Sequence, residues 1–359
     1  MNRIAIIIPT LNPTKQLEEY VDSLLQAGFR HMIVVNDGSD IVYKQIFDNL
    51  EKKDGVIVLN HAINMGKGRA LKDAFNYYLS YMTNECRGII TVDSDGQHHI
   101  QDVLELSENL IKLIENEQEA ERKKLILGVR NFAQDVPLKS KFGNRMTCLV
   151  MKMLYGGNIS DTQTGLRGMT NELMKEILLL KGERFEYETM MLIYALQKKI
   201  EIMEIPIKTI YINDNSETHF RPIQDSASIY FFIASTFFKY IFSSLSASII
   251  DLLVFQFLLL LFSKDNMGVN VTIATIIARI ISSIYNFSIN KKIVFKSSKK
   301  VQALFKYYIL CISQMIVSAL MVSFIFNITH WYAVVIKMVV DSILFLCSYQ
   351  IQRIWVFKE

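Results

Sequence analysis

Ile89-Ile90-Thr91-Val92-Asp93-Ser94-Asp95-Gly96-Gln97-His98-His99 runs from an apolar, β-type stretch into two carboxylates, one residue apart, on a glycine turn. Alternation along an extended strand lets Asp93 and Asp95 point the same way, with Ser94 opposite. Two hard oxygen ligands at a strand end, with Gln97 just beyond, suit a divalent cation that also holds a diphosphate. An isolated Asp-Ser-Asp-Gly is otherwise a solvated turn. The flanking sequence decides between the two.

Upstream, Ile4 to Ile8 is a short apolar run closed by Pro9, as expected of a buried parallel strand. Leu17, Tyr20, Val21, Leu24 and Leu25 follow at helical spacing. His31 to Val35 reads as a second strand, ending in Asn36-Asp37-Gly38-Ser39-Asp40, and Val56 to Leu59 as a third. Asn64-Met65-Gly66-Lys67-Gly68-Arg69 then opens a helix running to about Met82. Strands and helices alternating in units of about 25 to 30 residues predict a parallel α/β sheet, with its ligand beyond the carboxyl ends of the strands. Pro9, Asp37, the Gly66 loop and the Asp93/Asp95 pair all fall at those ends and are expected to converge on one crevice. Asp37-Gly38-Ser39 could otherwise be a turn and helix cap. The amides around Gly66, with Lys67, suit phosphate, although no Walker loop or dinucleotide fingerprint is present.

The chain has 359 residues, room for two or more domains, with 39 Lys and Arg against 35 Asp and Glu, a balance that points to no nucleic-acid partner. Most acidic residues precede about position 225, and long apolar runs follow it, predicting a soluble domain and then a membrane domain. Cys86, Cys148, Cys311 and Cys347 have no paired or C-x-x-C spacing, so reduced thiols and no structural zinc are expected. The N-terminus lacks the pattern of a signal peptide, so the soluble part is expected to stay in the cytoplasm. Glu115 to Lys124 reads as a solvated helix end or loop.

Ile7-Ile8-Pro9-Thr10-Leu11-Asn12, Val35-Asn36-Asp37-Gly38-Ser39, Asn64-Met65-Gly66-Lys67-Gly68 and Val92-Asp93-Ser94-Asp95-Gly96-Gln97-His98 stand in an order that resembles glycosyltransferase family 2. Within it the resemblance is to the polyprenyl-phosphate glycosyltransferases, over about residues 1 to 228. Gly128-Val129-Arg130, Gly143-Asn144-Arg145, the Asp161 to Arg167 segment, Phe185-Glu186-Tyr187-Glu188 and Ser216 through His219-Phe220-Arg221-Pro222 agree. The family's Tyr-Asn-Glu is replaced by Leu11-Asn12-Pro13, so UDP- and GDP-linked hexoses both remain candidate donors. The resemblance implies an α/β nucleotide-diphospho-sugar transferase (GT-A, Rossmann-like) domain followed by an all-α four-helix transmembrane domain. It implies that Pro9, Thr10, Asn12 and Asp37 border the nucleoside, and that Gly66, Lys67, Asp93 and Ser94 lie along the donor. Asp93, Asp95 and Gln97 would hold Mg²⁺ or Mn²⁺, a Lewis acid for the leaving nucleoside diphosphate. A polyprenyl phosphate is already anionic and needs cations rather than a strong base. Arg130 and Arg145 are the candidates, with Arg167 shaping the acceptor phosphate site and His219 and Arg221 closing over the donor phosphates. Glu186 and Glu188 sit at a helix start and do not share a face.

After Pro222, residues 223–236 read as an interfacial linker helix between a cytoplasmic catalytic domain (1–222) and a membrane domain (237–359). Four spans are expected, at about 238–262, 269–290, 304–327 and 331–352, each near the roughly 20 residues needed to cross. The lysine-rich loop after the second span sets the orientation by the positive-inside rule, giving a multi-pass protein of the cell membrane. Phe238-Lys239-Tyr240 recurs as Phe305-Lys306-Tyr307, and the segment from Asn290 to Lys296 as that from Gln352 to Lys358. This two-hairpin repeat resembles the GtrA-like membrane domain. Arg279 and Asp341 fall at equivalent positions near mid-bilayer, where they are expected to pair with each other or with Asp251, or to face a hydrated groove. The expected activity is transfer of one sugar to polyprenyl phosphate, with inversion, at the lipid bilayer; a homo-oligomer stays open. The rivals are a processive polysaccharide synthase, whose Gln-x-x-Arg-Trp motif is missing from the soluble domain, and a non-catalytic transporter of lipid-linked sugar.

Overall fold

The computed structural model describes residues 3–115, 123–130, 138–208, 222–262, 267–295, 297 and 301–357. It divides into two compact units, Met1–Ile233 and Ala234–Glu359.

The first unit is built on a sheet of β1 (Ile4–Thr10), β2 (Met32–Asn36), β3 (Val56–Asn60), β4 (Gly88–Thr91), β5 (Lys124–Arg130), β6 (Arg167–Thr170) and β7 (Glu201–Ile207). Its strand order is β3-β2-β1-β4-β6-β5-β7. β1 is buried throughout because both faces of the sheet are covered, so an unbroken apolar run replaces alternation. Ala5 and Ile7 pack on one side with Ala70, Leu71, Ala74, Phe75 and Tyr78 of α3 (Lys67–Tyr81). Ile4, Ile6 and Ile8 pack on the other with Leu17, Val21 and Leu24 of α1 (Gln16–Gln26) and with Val103, Leu106 and Leu110 of α4 (Ile100–Glu115). Helices α2 (Lys44–Glu51), α5 (Leu138–Tyr155), α6 (Asn171–Ile177) and α7 (Glu186–Lys198) complete the unit.

The sheet departs from the expected parallel arrangement at β6, which runs antiparallel to β4 and β5. The segment from Asp161 to Leu166 lies at the carboxyl edge, where the Thr91 hydroxyl donates to the Gly165 carbonyl at 2.7 Å. A strand entered from that edge has to run back down the sheet, and Arg167 pairs in register with Thr91. The reversal brings a second loop to the carboxylate turn. The stretch 116–122, within the expected solvated helix end, lies outside the described residues.

The second unit holds α8 (Pro222–Leu261) from Ala234 onward, with α9 (Met267–Ile289), α10 (Val301–Thr329) and α11 (Ala333–Ile351). Segments Ile229–Leu261, Ile273–Val294, Gln302–Thr329 and Val335–Val356 are long and apolar enough to cross a membrane. The expected linker segment 223–236 runs into the first span without a break: α8 is continuous for 40 residues, since nothing between Ile223 and Leu261 is proline or glycine. Both hairpins end in a π-helical turn, Asn290–Val294 and Gln352–Val356. The internal repeat appears here as contacts between equivalent residues. The Asn290 side-chain Nδ2 donates to Gln352 Oε1 at 3.1 Å, and the Phe295 and Phe357 rings stack at 5.1 Å. Arg279 does not meet Asp341. Its Nη2 lies 3.7 Å from Asp251, whose other carboxylate oxygen accepts from Ser282, while Asp341 accepts from Ser318 and lies 3.0 Å from Lys337 Nζ. Each hairpin thus pairs a carboxylate with a serine and a cation of its own.

Candidate active site

β4 ends at Thr91, and the Val92 amide still donates to the Ile7 carbonyl at 3.0 Å, so the strand hands the chain to the carboxylate turn at a fixed place. The two carboxylates there have different surroundings. Asp93 Oδ1 accepts from Lys67 Nζ at 2.7 Å, and Oδ2 lies 3.2 Å from His98 Nε2. Lys67 also lies 3.0 Å from Glu188 Oε2, so one ammonium joins two carboxylates from separate elements. Asp95 Oδ1 accepts the Gln97 amide at 3.1 Å, and among the described residues Asp95 has no ion pair. Ser94 is half-buried between them.

Tight backbone approaches make this cluster possible. A Cβ on Gly165 would lie 2.3 Å from Asp93 Oδ2, so only glycine leaves room for the carboxylate against the loop before β6. Gly66, at φ 101°, would place a Cβ 2.5 Å from the Glu183 carbonyl oxygen. The Arg69 amide donates to that same carbonyl at 2.9 Å, and the Arg69 and Lys72 side chains pair with the Glu183 carboxylate at 2.8 and 3.1 Å. These contacts dock the start of α3 on the segment leading into α7 and bring Glu188 to Lys67.

The electrostatics follow from the placement. Burial would raise the Asp93 carboxyl, but the Lys67 charge and the His98 hydrogen bond outweigh it and hold Asp93 well below the usual carboxylate range. Burial lowers Lys67, but the charges of Asp93 and Glu188 prevail and raise it. Asp95 is pushed up, first by burial and then by the neighbouring Asp93 charge. A half-buried carboxylate with raised pKa and, among the described residues, no ion pair favours an added positive charge. The residues therefore fit a divalent cation at Asp95, with Gln97 and Asp93 beside it. Among the described residues no cluster of three His, Cys, Asp or Glu is placed to hold a metal alone.

At the β1–β2 edge, Asp37 is buried and accepts the Met65 and Gly66 amides at 2.8 and 2.7 Å, so it shapes the phosphate-type loop ahead of Lys67. Pro9 and Thr10 are buried at the end of β1, and the Thr10 carbonyl accepts the Asp37 amide. Asn12, at φ 47°, ties the β1 loop to the β2 loop: its Oδ1 accepts the Asp40 amide, and Ser39 Oγ accepts the Asn12 amide. These residues and the Gly66–Lys67 loop come together as the sequence reading expects.

The cations separate into three settings. Arg130 grips the fully buried Asp161 through Nε at 2.6 Å and Nη2 at 2.9 Å, so much of its guanidinium is committed. Arg145 is exposed and lines a groove of about 490 Å³ with Met146, Cys148, Leu149, Lys152, Asn158 and Ile159. Asn144 beside it is buried and joins α5 to the Asp161 loop, accepting the Thr162 amide and hydroxyl at 3.0 Å and donating to the Ser160 carbonyl. Arg167 departs from its expected place at an acceptor phosphate. It is 1% exposed, with Nε on the Thr164 carbonyl and Nη1 on the Glu188 carbonyl, so it braces the start of α7 from beneath the site. Its position on β6, which the sheet buries on both sides, is the reason. His219 and Arg221 lie outside the described residues. Glu188 and Gly165 acquire their roles from the fold; the only sequence signal for Glu188 was its place in Phe185-Glu186-Tyr187-Glu188.

A mixed α/β sheet with a lysine, a glycine loop and a carboxylate turn at one edge, joined to four membrane-length helices, defines a GT-A-like sugar transferase of the multi-pass membrane class. The descriptions "Glycosyl transferase family 2" and "GtrA/DPMS, transmembrane domain" match residues 5–173 and 228–357. The chain belongs to glycosyltransferase family 2 and carries a GtrA/DPMS transmembrane domain. It is 33% identical over 213 residues to an uncharacterised protein of Methanocaldococcus jannaschii, covering 58% of this chain and 82% of that one. It is 29% identical over 231 residues to the UDP-N-acetylglucosamine–dolichyl-phosphate N-acetylglucosaminyltransferase of Methanococcus voltae, covering 58% and 86%. It is 26% identical over 223 residues to a dolichyl-phosphate beta-glucosyltransferase of Trichomonas vaginalis, covering 57% and 65%.

Proposed function

We propose that this glycosyltransferase moves a single sugar from a nucleotide-sugar to a polyprenyl phosphate, with inversion, on the cytoplasmic face of the membrane. The observation that carries the reading is the half-buried Glu188–Lys67–Asp93 cluster beside Asp95, a carboxylate of raised pKa with no ion pair among the described residues. Its relatives named for dolichyl-phosphate sugar transfer support the acceptor class.

In this reading an oxygen of the lipid phosphate attacks the anomeric carbon, and the bond from that carbon to the donor's β-phosphate oxygen breaks. The nucleoside diphosphate leaves with the electron pair. The nucleophile is already anionic, so no proton has to be removed first. Asp37 and the residues from Pro9 to Asn12 border the nucleoside, and the Gly66 loop lies along the diphosphate. Asp95 and Gln97, with Asp93 near, would hold Mg²⁺ or Mn²⁺, whose charge would neutralise the leaving diphosphate. Arg145 in its open groove receives the lipid phosphate, and Arg130, oriented by Asp161, stands behind it. His219 and Arg221 are proposed to contact the phosphates. Either UDP or GDP donors are compatible.

The test is incubation of the purified full chain with polyprenyl phosphate, Mg²⁺ or Mn²⁺, and labelled UDP-glucose, UDP-N-acetylglucosamine and GDP-mannose. A phospholipid bearing one sugar is the expected product. A long polymer would replace this reading with a processive synthase, and no product from any donor would point to a transporter.

A further inference from the structure

We infer that His61 is a positioning residue for the donor, holding the Asp37 carboxylate and the glycine loop in their binding shape. The inference rests on the reading that Asp37 borders the nucleoside of a nucleotide-sugar.

His61 follows β3, and its amide donates to the Asn36 carbonyl at 2.9 Å, which seats it against the end of β2. Its side chain is 9% exposed and lies between two carboxylates. Nδ1 is 2.8 Å from Asp37 Oδ1. Nε2 is 3.1 Å from Asp73 Oδ2, a charge contact without hydrogen-bond alignment. Asp37 already accepts two amides, so it faces His61 as an acceptor and Nδ1 carries the donated proton. Asp73 lies on α3, the helix that begins at Lys67. One imidazole therefore links the end of β2, the loop after β3 and the second turn of α3, the elements that place Asp37, Gly66 and Lys67.

Without the ring, Asp37 Oδ1 keeps only the Met65 amide, and its rotamer is no longer set from two directions. The loop before Lys67 then samples shapes that do not fit a diphosphate. The loss falls on donor binding rather than on the chemical step, because His61 touches neither Asp95 nor Lys67.

Calorimetric binding of UDP-glucose, UDP-N-acetylglucosamine and GDP-mannose to the full chain in detergent, with Mn²⁺, is the test. The wild-type chain is expected to bind at least one donor, and His61→Phe to bind it roughly tenfold more weakly, the size of one charge-assisted hydrogen bond. In transfer assays the donor KM rises and kcat holds. His61→Asn, whose amide nitrogen reaches the place of Nδ1, restores binding, and His61→Gln does not. In an Asp37→Asn background His61→Phe adds no further loss. If the wild type binds a donor and His61→Phe binds it equally well, the positioning role is wrong. If His61→Phe fails to fold, equal affinities of the Asn and Gln variants overturn the role in its place. If the wild type binds no donor, the nucleotide-sugar reading itself falls.

Discussion

The crevice of the first unit and the hairpins of the second both set carboxylates beside cations, but on opposite terms. In the crevice the groups are half-buried, close and shared: Lys67, 18% exposed, lies 2.7 Å from Asp93, 30% exposed, and 3.0 Å from Glu188, 11% exposed. In the hairpins each carboxylate meets a serine and a single cation, and the Arg279 side chain is 74% exposed at 3.7 Å from Asp251. Removing the cation from a shared, half-buried cluster leaves two carboxylates without their common partner, whereas a single exposed pair loses little when broken. The crevice holds charge ready for a ligand that brings more of it. The hairpins neutralise charge locally, one pair to each repeat. Substitutions in the two regions are therefore expected to give separable phenotypes.

The largest effect is expected at Asp95. Asp95→Asn should lower sugar transfer about a thousandfold, since a metal's contribution to the leaving group is several kcal/mol. Folding should be spared. The fold raises the Asp95 carboxyl, so its ionised form costs stability once pH exceeds its folded pKa, and the amide removes that cost. A label-transfer assay beside a thermal melt checks both; metal-dependent activity in the variant would sink the assignment. The same shift predicts that Mn²⁺ affinity of the wild type weakens on acidification at a pH above the ordinary carboxylate range. A metal titration across pH measures this.

Lys67→Met should cost both activity and stability. It leaves the half-buried Asp93 and Glu188 without their shared cation, a loss of about 1.5 to 3 kcal/mol for charge-assisted hydrogen bonds. Adding Glu188→Gln should recover part of the melting temperature. An unchanged melt in the single variant would show that the cluster is more hydrated than its geometry indicates.

Arg145→Ala should raise the KM for polyprenyl phosphate about tenfold and leave the donor KM unchanged, as expected for one charge-assisted contact at an exposed site. Steady-state kinetics with each substrate varied in turn separates the two constants; an effect on the donor alone would move Arg145 to the other side of the reaction.

The smallest effect belongs to the hairpins. Asp251→Ala and Arg279→Ala should each lower the melt modestly and couple by about 1 kcal/mol, while transfer per folded molecule is unchanged. Strictly additive melts would show that the two side chains act independently. A fall in turnover would join the hairpin charges to catalysis and end the contrast between the regions.

By itself the sequence determined the order of elements, the crevice edge and the membrane spans, because these depend on local periodicity and on where apolar runs stop. Pro9, Asp37, the Gly66 loop and the Asp93 turn were legible as one site since a parallel sheet sends its strand ends to one edge. Only the tertiary structure decided the partners. The reversal of β6 placed Gly165 against Asp93 and buried Arg167, and neither outcome has a signature in local spacing. The docking of α7 on α3 gave Glu188 to Lys67 across more than a hundred residues of chain, and the turn after β3 put His61 between Asp37 and Asp73. The charge pairing at Arg279 followed the same rule: equivalence in the repeat set its level, but packing within its own hairpin chose Asp251. Periodicity records which face of an element is apolar. The identity of the group across a contact depends on how separate elements pack.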